Sequence, residues 1–281
     1  MARGAAVEEQ TRDMAETADR EGVTVEIGTI AIALRSSDSN FRRTLSERYA
    51  GFVNAAAHPG FTFDVEITSP RAFSEDEDLS VARENGCWRV ERGDFSAGWD
   101  ATTRRGWLRQ TVNPYSADTL LRVVHSVALA ERGGFLVHAA SAVRNGRAFL
   151  FAGVSGAGKT TLTRLAPADA RILTDEISYV VKEPQGYRAY GTPFAGEFAR
   201  VGESISAPIA GLFLLEKADG NALNEIEDVR AASGLMRNIL FLAQDDSLVR
   251  SVFHAAADFV STIPVRVMRF TPDGRAWEMI Q

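Results

Sequence analysis

The sequence has a single cysteine, Cys87, among 281 residues. One cysteine excludes an internal disulfide and any zinc site built on a cluster of cysteines. The chain also lacks an apolar run that approaches the roughly 18 residues of a membrane span. Its first residues, MARGAAVEEQTRDMAETADREG, contain no apolar signal-peptide region. We therefore expect a cytoplasmic protein that has no membrane partner.

Basic residues are fewer than acidic ones. The chain has 31 lysines and arginines against 37 aspartates and glutamates, which gives a formal net charge of -6. This balance disfavours nucleic acid as a partner. A hydrophobic content of 45% and a charged content of 24% are typical of soluble globular proteins. The length is sufficient for about two domains, each with its own core.

The first part of the chain shows the mixed signals of an α+β domain. VTVEIGTIAIAL is rich in β-branched residues and predicts a strand, and FTFDVEITS alternates apolar with polar residues, which predicts a half-buried strand. Short strands separated by RGD, SAG and RRG predict a small meander over 87–112. We therefore predict a flexible N-terminus, 1–22, and an α+β domain, 23–125, with no recognisable chemistry before residue 130.

Two apolar runs after Gly134, FLVHAASAV and AFLFAGV, are joined by RNGR. Asn-Gly between apolar runs predicts a hairpin with a two-residue turn. If Asn145 and Gly146 form the turn, the register places His138 opposite Gly153. His138 is then either a half-buried strand residue or a member of a site beside Gly153, and the pattern leaves both readings open.

The stretch GVSGAGKT, residues 153–160, has the spacing of a phosphate-binding loop. Its glycines allow successive backbone N–H groups to converge on phosphate oxygens. Lys159 supplies a cation to the β- and γ-phosphates, the Thr160 hydroxyl is suited to Mg²⁺, and the helix predicted over KTTLTRLA directs its N-terminus at the same anion. The predicted phosphate-binding residues are Gly153, Ser155, Gly156, Ala157, Gly158, Lys159, Thr160 and Thr161.

Carboxylates follow this loop at the ends of apolar runs. Asp175 and Glu176 end ADARILTDE and suit the metal side of a nucleotide site, because Mg²⁺ prefers oxygen ligands. Glu216, at the end of LFLLE, is a lower-ranked candidate. Glu197, a further candidate for the metal, follows the turn-rich stretch YGTPFAG, which either closes over a nucleotide or connects two elements.

Together with these residues, the closing stretch IPVRVMRFTPDGRAWEMI makes residues 134–281 resemble the HPr kinase-related family. The nucleotide domain of that family resembles phosphoenolpyruvate carboxykinase. The resemblance implies an α/β fold in which a P-loop domain with a mixed sheet, 126–281, follows the smaller N-terminal domain. It also implies ATP and Mg²⁺ as cofactors. By the family pattern, Lys159 and Thr160 hold the phosphates and the metal.

The same resemblance assigns roles to the other candidates. Asp175 is implied to be the base that accepts the proton of the substrate hydroxyl, Glu176 to assist the metal, and His138 to lie near the transferred phosphate. Because the family includes lasso-peptide tailoring kinases, the expected partner is a peptide or protein with an acceptor serine. Bacterial HPr kinases form rings, and a homo-oligomer is left open here.

Three functions remain open at this point. The first is an ATP- and Mg²⁺-dependent kinase that acts on a hydroxyl. The second is a nucleotide-binding regulatory module that has lost transfer, and the one feature in its favour is Asp175-Glu176, where HPr kinases carry two adjacent aspartates. The third is a kinase for a small molecule or a carboxykinase-like enzyme.

Overall fold

The computed structural model describes residues 21–69, 78–195 and 201–280. The chain separates into two compact units, Met1–Arg122 and Val123–Gln281. The division lies between residues 122 and 123, whereas the sequence places it between 125 and 126. Most of the predicted flexible N-terminus, 1–22, is outside the described residues, although Gly22 already belongs to a strand.

The first unit contains a mixed sheet with the strand order β1-β2-β3-β7-β6-β5-β4. Strand β3 is parallel to both β2 and β7, and the other neighbours are antiparallel. The described elements are β1 (Gly22–Ile27), β2 (Ile30–Arg35), helix α1 (Ser39–Arg48), β3 (Phe61–Ile67), β4 (Ser80–Glu84), β5 (Cys87–Arg92), β6 (Phe95–Asp100) and β7 (Arg105–Gln110). The predicted strand in FTFDVEITS and the predicted meander are confirmed as β3 and β5–β7.

The stretch VTVEIGTIAIAL forms a hairpin, so the prediction of a single strand there is wrong. Strands β1 and β2 pair antiparallel, with Ile27 opposite Ile30. The turn between them passes through Gly28 at a φ of 61°, a left-handed conformation that glycine adopts at little cost. Because β-branched residues flank Gly28 on both sides, composition alone concealed the turn.

The second unit contains a mixed sheet with β10-β8-β11-β12-β13-β16-β14 as its main path, to which β9 and β15 are attached through β8. Its described strands are β8 (Phe135–Arg144), β9 (Arg147–Ala152), β10 (Arg171–Thr174), β11 (Ile177–Glu183), β12 (Gly186–Tyr190), β13 (Ser206–Lys217), β14 (Ala222–Glu225), β15 (Ile239–Leu240) and β16 (Val265–Phe270). The remaining described elements are the helices α2 (Tyr115–Ala130), α3 (Lys159–Arg164), α4 (Asp228–Met236) and α5 (Asp246–Thr262), and a 3₁₀ helix (Gly274–Met279). The protein is therefore α/β, with two mixed sheets.

The hairpin of β8 and β9 has the register that the Asn-Gly turn predicts. Asn145 and Gly146 both have positive φ, 51° and 74°, as a type I′ turn requires. The ladder runs from Arg144 opposite Arg147 to Ala139 opposite Ala152. It stops one residue before the predicted pair of His138 with Gly153, which places the glycine loop directly at the end of the ladder.

Strands β8 and β9 are buried on both faces, which explains their nearly continuous apolar sequence. Val137 and Leu150 belong to a core cluster that includes Phe259 of α5. Phe149 and Phe151 belong to a second cluster with Leu162, Phe213, Phe270 and Trp277. The two strands are therefore packed against the core on both faces.

The loops that follow three parallel strands lie at one edge of this sheet. Strand β13 pairs parallel with β9, Leu214 lying opposite Ala152, and parallel with β16, Lys217 lying opposite Phe270. The carboxyl ends of β9, β13 and β16 therefore meet at the same edge, which is the usual place for a ligand in an α/β sheet. Among the helices of the described ranges, none combines the length and the apolarity that a bilayer crossing requires.

Helix α2 buries a histidine in its apolar face. The Asn113 side chain caps the helix by accepting hydrogen bonds from the N–H groups of Tyr115 and Ser116. His125 is fully buried, and neither ring nitrogen has a hydrogen-bond partner among the described residues. Its ring packs edge-on against Tyr179 at 5.4 Å. Burial lowers the pKa of His125 to about 3, so the folded protein contains the neutral imidazole.

We predict that His125 makes the second unit sensitive to acid. The folded state binds fewer protons than the unfolded state between pH 6.5, the ordinary pKa of histidine, and about pH 3. The free energy of unfolding therefore falls as the pH drops through this window, with a limiting slope of about 1.4 kcal/mol per pH unit from this group. Urea unfolding between pH 7 and pH 4.5 measures the slope.

The comparison that isolates this effect uses two variants. His125→Leu removes the buried imidazole and flattens the slope, whereas His254→Gln changes an exposed histidine and leaves the slope as in the wild type. An identical slope in the wild type and His125→Leu contradicts the assignment.

Candidate functional site

The residues Gly153–Thr160, which we term the glycine loop, connect β9 to α3. Gly156 and Gly158 have φ values of 76° and 109°, a backbone region that other residues rarely adopt. Ala157 turns back into the core and donates its N–H to the carbonyl of Val154 at 3.0 Å. Ser155 and Gly156 are exposed. The loop thus presents its backbone to solvent at the edge where β9, β13 and β16 end.

Two close contacts explain why glycine is needed at both ends of this loop. A Cβ atom on Gly153 would lie 2.8 Å from the Cβ of Ala157, and one on Gly158 would lie 2.5 Å from the Cζ of Phe270. Both distances are shorter than real side chains tolerate. Phe270 is the last residue of β16, which is separated from β9 by β13, so a side chain from the end of this strand limits how closely the loop approaches the sheet.

The helix after the glycine loop is shorter than predicted, because α3 ends at Arg164. The indole N–H of Trp277 donates to the carbonyl of Leu162 at 3.0 Å, and this contact supports the last turn. Six residues carry only a small dipole. The expected helix dipole is therefore small, and the loop N–H groups and Lys159 are the main groups that this end of α3 offers to an anion. Thr160 and Thr161 lie half-buried in the first turn.

Lys159 is folded into the glycine loop. Its ammonium group donates to the carbonyl oxygens of Gly153 at 2.7 Å and Val154 at 3.4 Å, and the residue is only 8% exposed. Burial lowers the pKa of Lys159, while the nearby carboxylate of Glu176 opposes this shift. The structure therefore brings the loop lysine and the predicted metal-side acid within electrostatic reach of each other.

Asp175 and Glu176 form a turn between β10 and β11, which we term the carboxylate turn. Thr174 pairs with Ser141 and Ile177 pairs with His138, so the two acids lie opposite the middle of β8. Asp175 is only 4% exposed. The Thr174 hydroxyl accepts hydrogen bonds from the N–H groups of Glu176 and Ile177, both at 3.2 Å, which fixes the backbone of the turn.

His138 lies in β8 between the glycine loop and the carboxylate turn. On one edge it pairs with Ile177, and on the other its N–H donates to the carbonyl of Asn238 at 2.7 Å. The next residue, Ala139, pairs with Ala152, which precedes Gly153. Because neighbouring strands lie about 4.8 Å apart, the backbones of the glycine loop and the carboxylate turn are roughly 10 Å apart, with β8 between them.

The stretch Gly191–Ala195, which we term the strap, crosses the carboxylate turn. The N–H of Thr192 donates to the carbonyl of Leu173 at 3.1 Å, and its hydroxyl donates to the carbonyl of Ile177 at 2.8 Å. These bonds hold both ends of the carboxylate turn. The strap is therefore a support for the acids, whereas Glu197, the candidate that follows it, is outside the described residues.

Glu216 is the next-to-last residue of β13, which ends at the same edge as the glycine loop. Its carboxylate accepts hydrogen bonds from Arg230 at 3.3 Å and from Arg269 at 3.1 Å. The runner-up metal candidate is thus held in a surface ion-pair cluster.

The oxygen donors at the site suit Mg²⁺. Within residues 21–69, 78–195 and 201–280, no three His, Cys, Asp or Glu side chains are grouped so that they could hold a metal. The Thr160 hydroxyl and the carboxylates of Asp175 and Glu176 are hard oxygen ligands, and Mg²⁺ in nucleotide sites takes few protein ligands and completes its shell with phosphate oxygens and water. The residues present therefore fit a phosphate-bound Mg²⁺ and do not form a complete protein cage.

Sequence reasoning did not find three supports of the site: Phe270, Trp277 and Gly202. Phe270 and Trp277 lie in the closing stretch that contributed to the family resemblance, but no local pattern showed their contacts. A Cβ atom on Gly202 would lie 1.7 Å from the carbonyl oxygen of Leu173. The N–H of Gly202 also donates to the carbonyl of Thr192 at 3.2 Å. Contacts between segments that are well separated in the sequence leave no periodic signal.

A family model described as SynChlorMet cassette protein ScmC matches residues 110–281. This range is more than half of the chain, and it contains the glycine loop, the carboxylate turn and the strap. A search of curated proteins finds no match.

We predict that Gly202→Ala destabilises the second unit. The added methyl group overlaps the Leu173 carbonyl and forces apart the strap and the strand that precedes the carboxylate turn. We expect the free energy of unfolding to fall by about 1–3 kcal/mol, measured by thermal or urea unfolding.

Gly220→Ala is the matched control, because a Cβ atom on Gly220 meets nothing within 4 Å. Equal stability of the two variants would show that the strap does not pack as described.

Proposed function

The chain belongs to the family of SynChlorMet cassette protein ScmC, and from this premise we propose that it is an ATP- and Mg²⁺-dependent kinase that phosphorylates the hydroxyl of a serine in a peptide or protein. The family description names a cassette and no activity, so the proposal rests on the geometry of the site. The resemblance of residues 134–281 to HPr kinase-related proteins is a second support.

One observation carries the proposal: a buried lysine in the glycine loop and two carboxylates lie on opposite edges of the same strand, β8. Lys159 and Glu176 are within electrostatic reach of each other, and Asp175, which precedes Glu176 in the sequence, is buried. Phosphoryl transfer mainly requires positioning and charge neutralisation. These requirements are met by the groups around β8, which are a lysine, the backbone N–H donors of the glycine loop and two carboxylates.

In the proposed mechanism, the residues of the site have separate roles. The N–H groups of the glycine loop and Lys159 hold the β- and γ-phosphates, and Lys159 exchanges its bonds to the Gly153 and Val154 carbonyls for bonds to phosphate oxygens. Thr160, Asp175 and Glu176 would hold Mg²⁺. When bound, the ion supplies charge neutralisation at the phosphate oxygens.

Asp175 is proposed to accept the proton of the acceptor hydroxyl. The bond between the acceptor oxygen and the γ-phosphorus forms while the bond from that phosphorus to the β–γ bridging oxygen breaks. The electron pair of the broken bond leaves with ADP. The proton of the hydroxyl moves to the Asp175 carboxylate, so charge and atoms balance.

A second candidate is a nucleotide-binding module that has lost transfer. Glu176 favours it, because its side chain is one methylene longer than the aspartate at this place in HPr kinases. A longer carboxylate shifts the metal relative to the γ-phosphate, and binding is less sensitive to such a shift than transfer is.

We predict that transfer of label from γ-labelled ATP into a lysate of the source organism separates these functions. The wild type labels a peptide or protein. Asp175→Asn still binds ATP but loses about 100-fold or more in transfer, since a general base contributes about this much. Lys159→Ala weakens ATP binding about tenfold or more, because a charged hydrogen-bond donor is lost.

Lys182→Ala is the matched control. Lys182 lies on β11 and pairs with Asp258 at 2.9 Å, so its loss leaves transfer unchanged. Label that enters only small metabolites favours a small-molecule kinase. ATP binding without any labelled acceptor contradicts the kinase and supports the binding module.

A further inference from the structure

The chain after β16 is attached to the glycine loop and α3 at two points. Phe270 packs against Gly158, where an added Cβ would lie 2.5 Å from its Cζ. Seven residues later, Trp277 donates its indole N–H to Leu162 at 3.0 Å. The residues between these two anchors, Thr271–Ala276, therefore run beside the first turn of α3.

The position of this segment in the sheet is that of a ligand-contacting loop. It follows the carboxyl end of β16, which is parallel to β13, and β13 is parallel to β9. Ligands of α/β sheets bind outside the carboxyl ends of such strands. The segment and the glycine loop thus border the same space at this edge.

The segment is held in one conformation by a polar cluster around Asp273. The Thr271 hydroxyl donates to Asp273 at 2.9 Å, and the Thr271 N–H donates to the Asn221 side chain at 2.9 Å. Arg275 donates to a single Asp273 oxygen through both Nε, at 3.1 Å, and Nη2, at 2.6 Å. Two donors of one guanidinium group fix the orientation of its plane.

The Arg275 guanidinium is fixed and yet open to solvent. The side chain of Arg275 is 70% exposed and that of Asp273 is 35% exposed. An exposed guanidinium plane with a defined orientation is a surface on which an aromatic ring stacks. The ion pair with Asp273 does not cover either face of the Arg275 guanidinium plane.

We propose that Thr271–Arg275 forms the nucleobase subsite of the glycine loop, with the Arg275 guanidinium stacked on a purine base. This inference rests on the proposed function, because it requires the phosphates to lie in the glycine loop. A nucleotide held there has its α- and β-phosphates against the loop and the start of α3. The ribose and base then extend along the first turn of α3, where Thr271–Arg275 runs.

The proposal makes Arg275 a determinant of affinity for the base and not for the phosphates. MgATP and Mg-tripolyphosphate separate the two contributions, since tripolyphosphate occupies the phosphate site without a base. We predict that Arg275→Ala weakens MgATP about 3- to 30-fold, the range of a cation–π contact, and leaves Mg-tripolyphosphate within about twofold of the wild type. Calorimetric titration of the full chain measures both dissociation constants.

Two further variants sharpen this test. Arg275→Lys keeps the charge but not the planar group, and we expect it to bind MgATP nearly as weakly as Arg275→Ala does. Arg266→Ala is the matched control, because Arg266 lies near the opposite end of β16 and pairs with Glu225 at 2.7 Å. It binds both ligands as the wild type does.

Each result has a separate meaning. A loss in Arg275→Ala that is equal for both ligands shows a contact to phosphate and overturns the base subsite. Full recovery of MgATP affinity in Arg275→Lys shows that the positive charge suffices and overturns the stacked guanidinium plane. Unchanged MgATP affinity in Arg275→Ala overturns it while the proposed function stands. Failure of the wild type to bind either ligand overturns the proposed function, and the subsite with it.

Discussion

Strand β8 is hydrogen-bonded on both edges beside His138, and this double pairing positions the whole candidate site. On one edge, Ala139 pairs with Ala152, so the glycine loop begins level with His138. On the other edge, Ile177 pairs with His138, which places the carboxylate turn at the same height. A shift of either neighbour by one residue would exchange the two faces of the strand and separate Lys159 from Glu176.

Sequence reasoning could find the parts of this arrangement that are local. The Asn145-Gly146 turn determines the hairpin register through backbone conformations that few residues adopt, and the glycine loop has the spacing that is typical of phosphate-binding loops. The hairpin at Gly28 and the early end of α3 were missed, because flanking composition continued across both boundaries. The contacts of Phe270, Trp277 and Gly202 join distant segments, and no periodicity encodes them.

The site is supported mainly by close contacts at glycine positions, where neighbouring atoms leave no room for a side chain. Glycine in a loop costs conformational entropy on folding, but here neighbouring atoms already fill the positions where side chains would begin. Phe270 occupies this space at Gly158, and the Leu173 carbonyl occupies it at Gly202. The glycine loop and the carboxylate turn are therefore fixed by the core and the strap before any ligand is present, which lowers the cost of ordering them around a nucleotide.

Hydrogen exchange of the backbone amides tests the central claim that the glycine loop binds the phosphates of a nucleotide. The full chain is exchanged with and without MgATP, and peptides that cover residues 151–165 and 171–180 are followed by mass spectrometry. At an MgATP concentration close to the dissociation constant of the wild type, the account predicts slower exchange in the first peptide in the wild type and a clearly smaller change in Lys159→Ala. Protection by MgATP confined to other parts of the chain, or equal protection in both proteins, would contradict it.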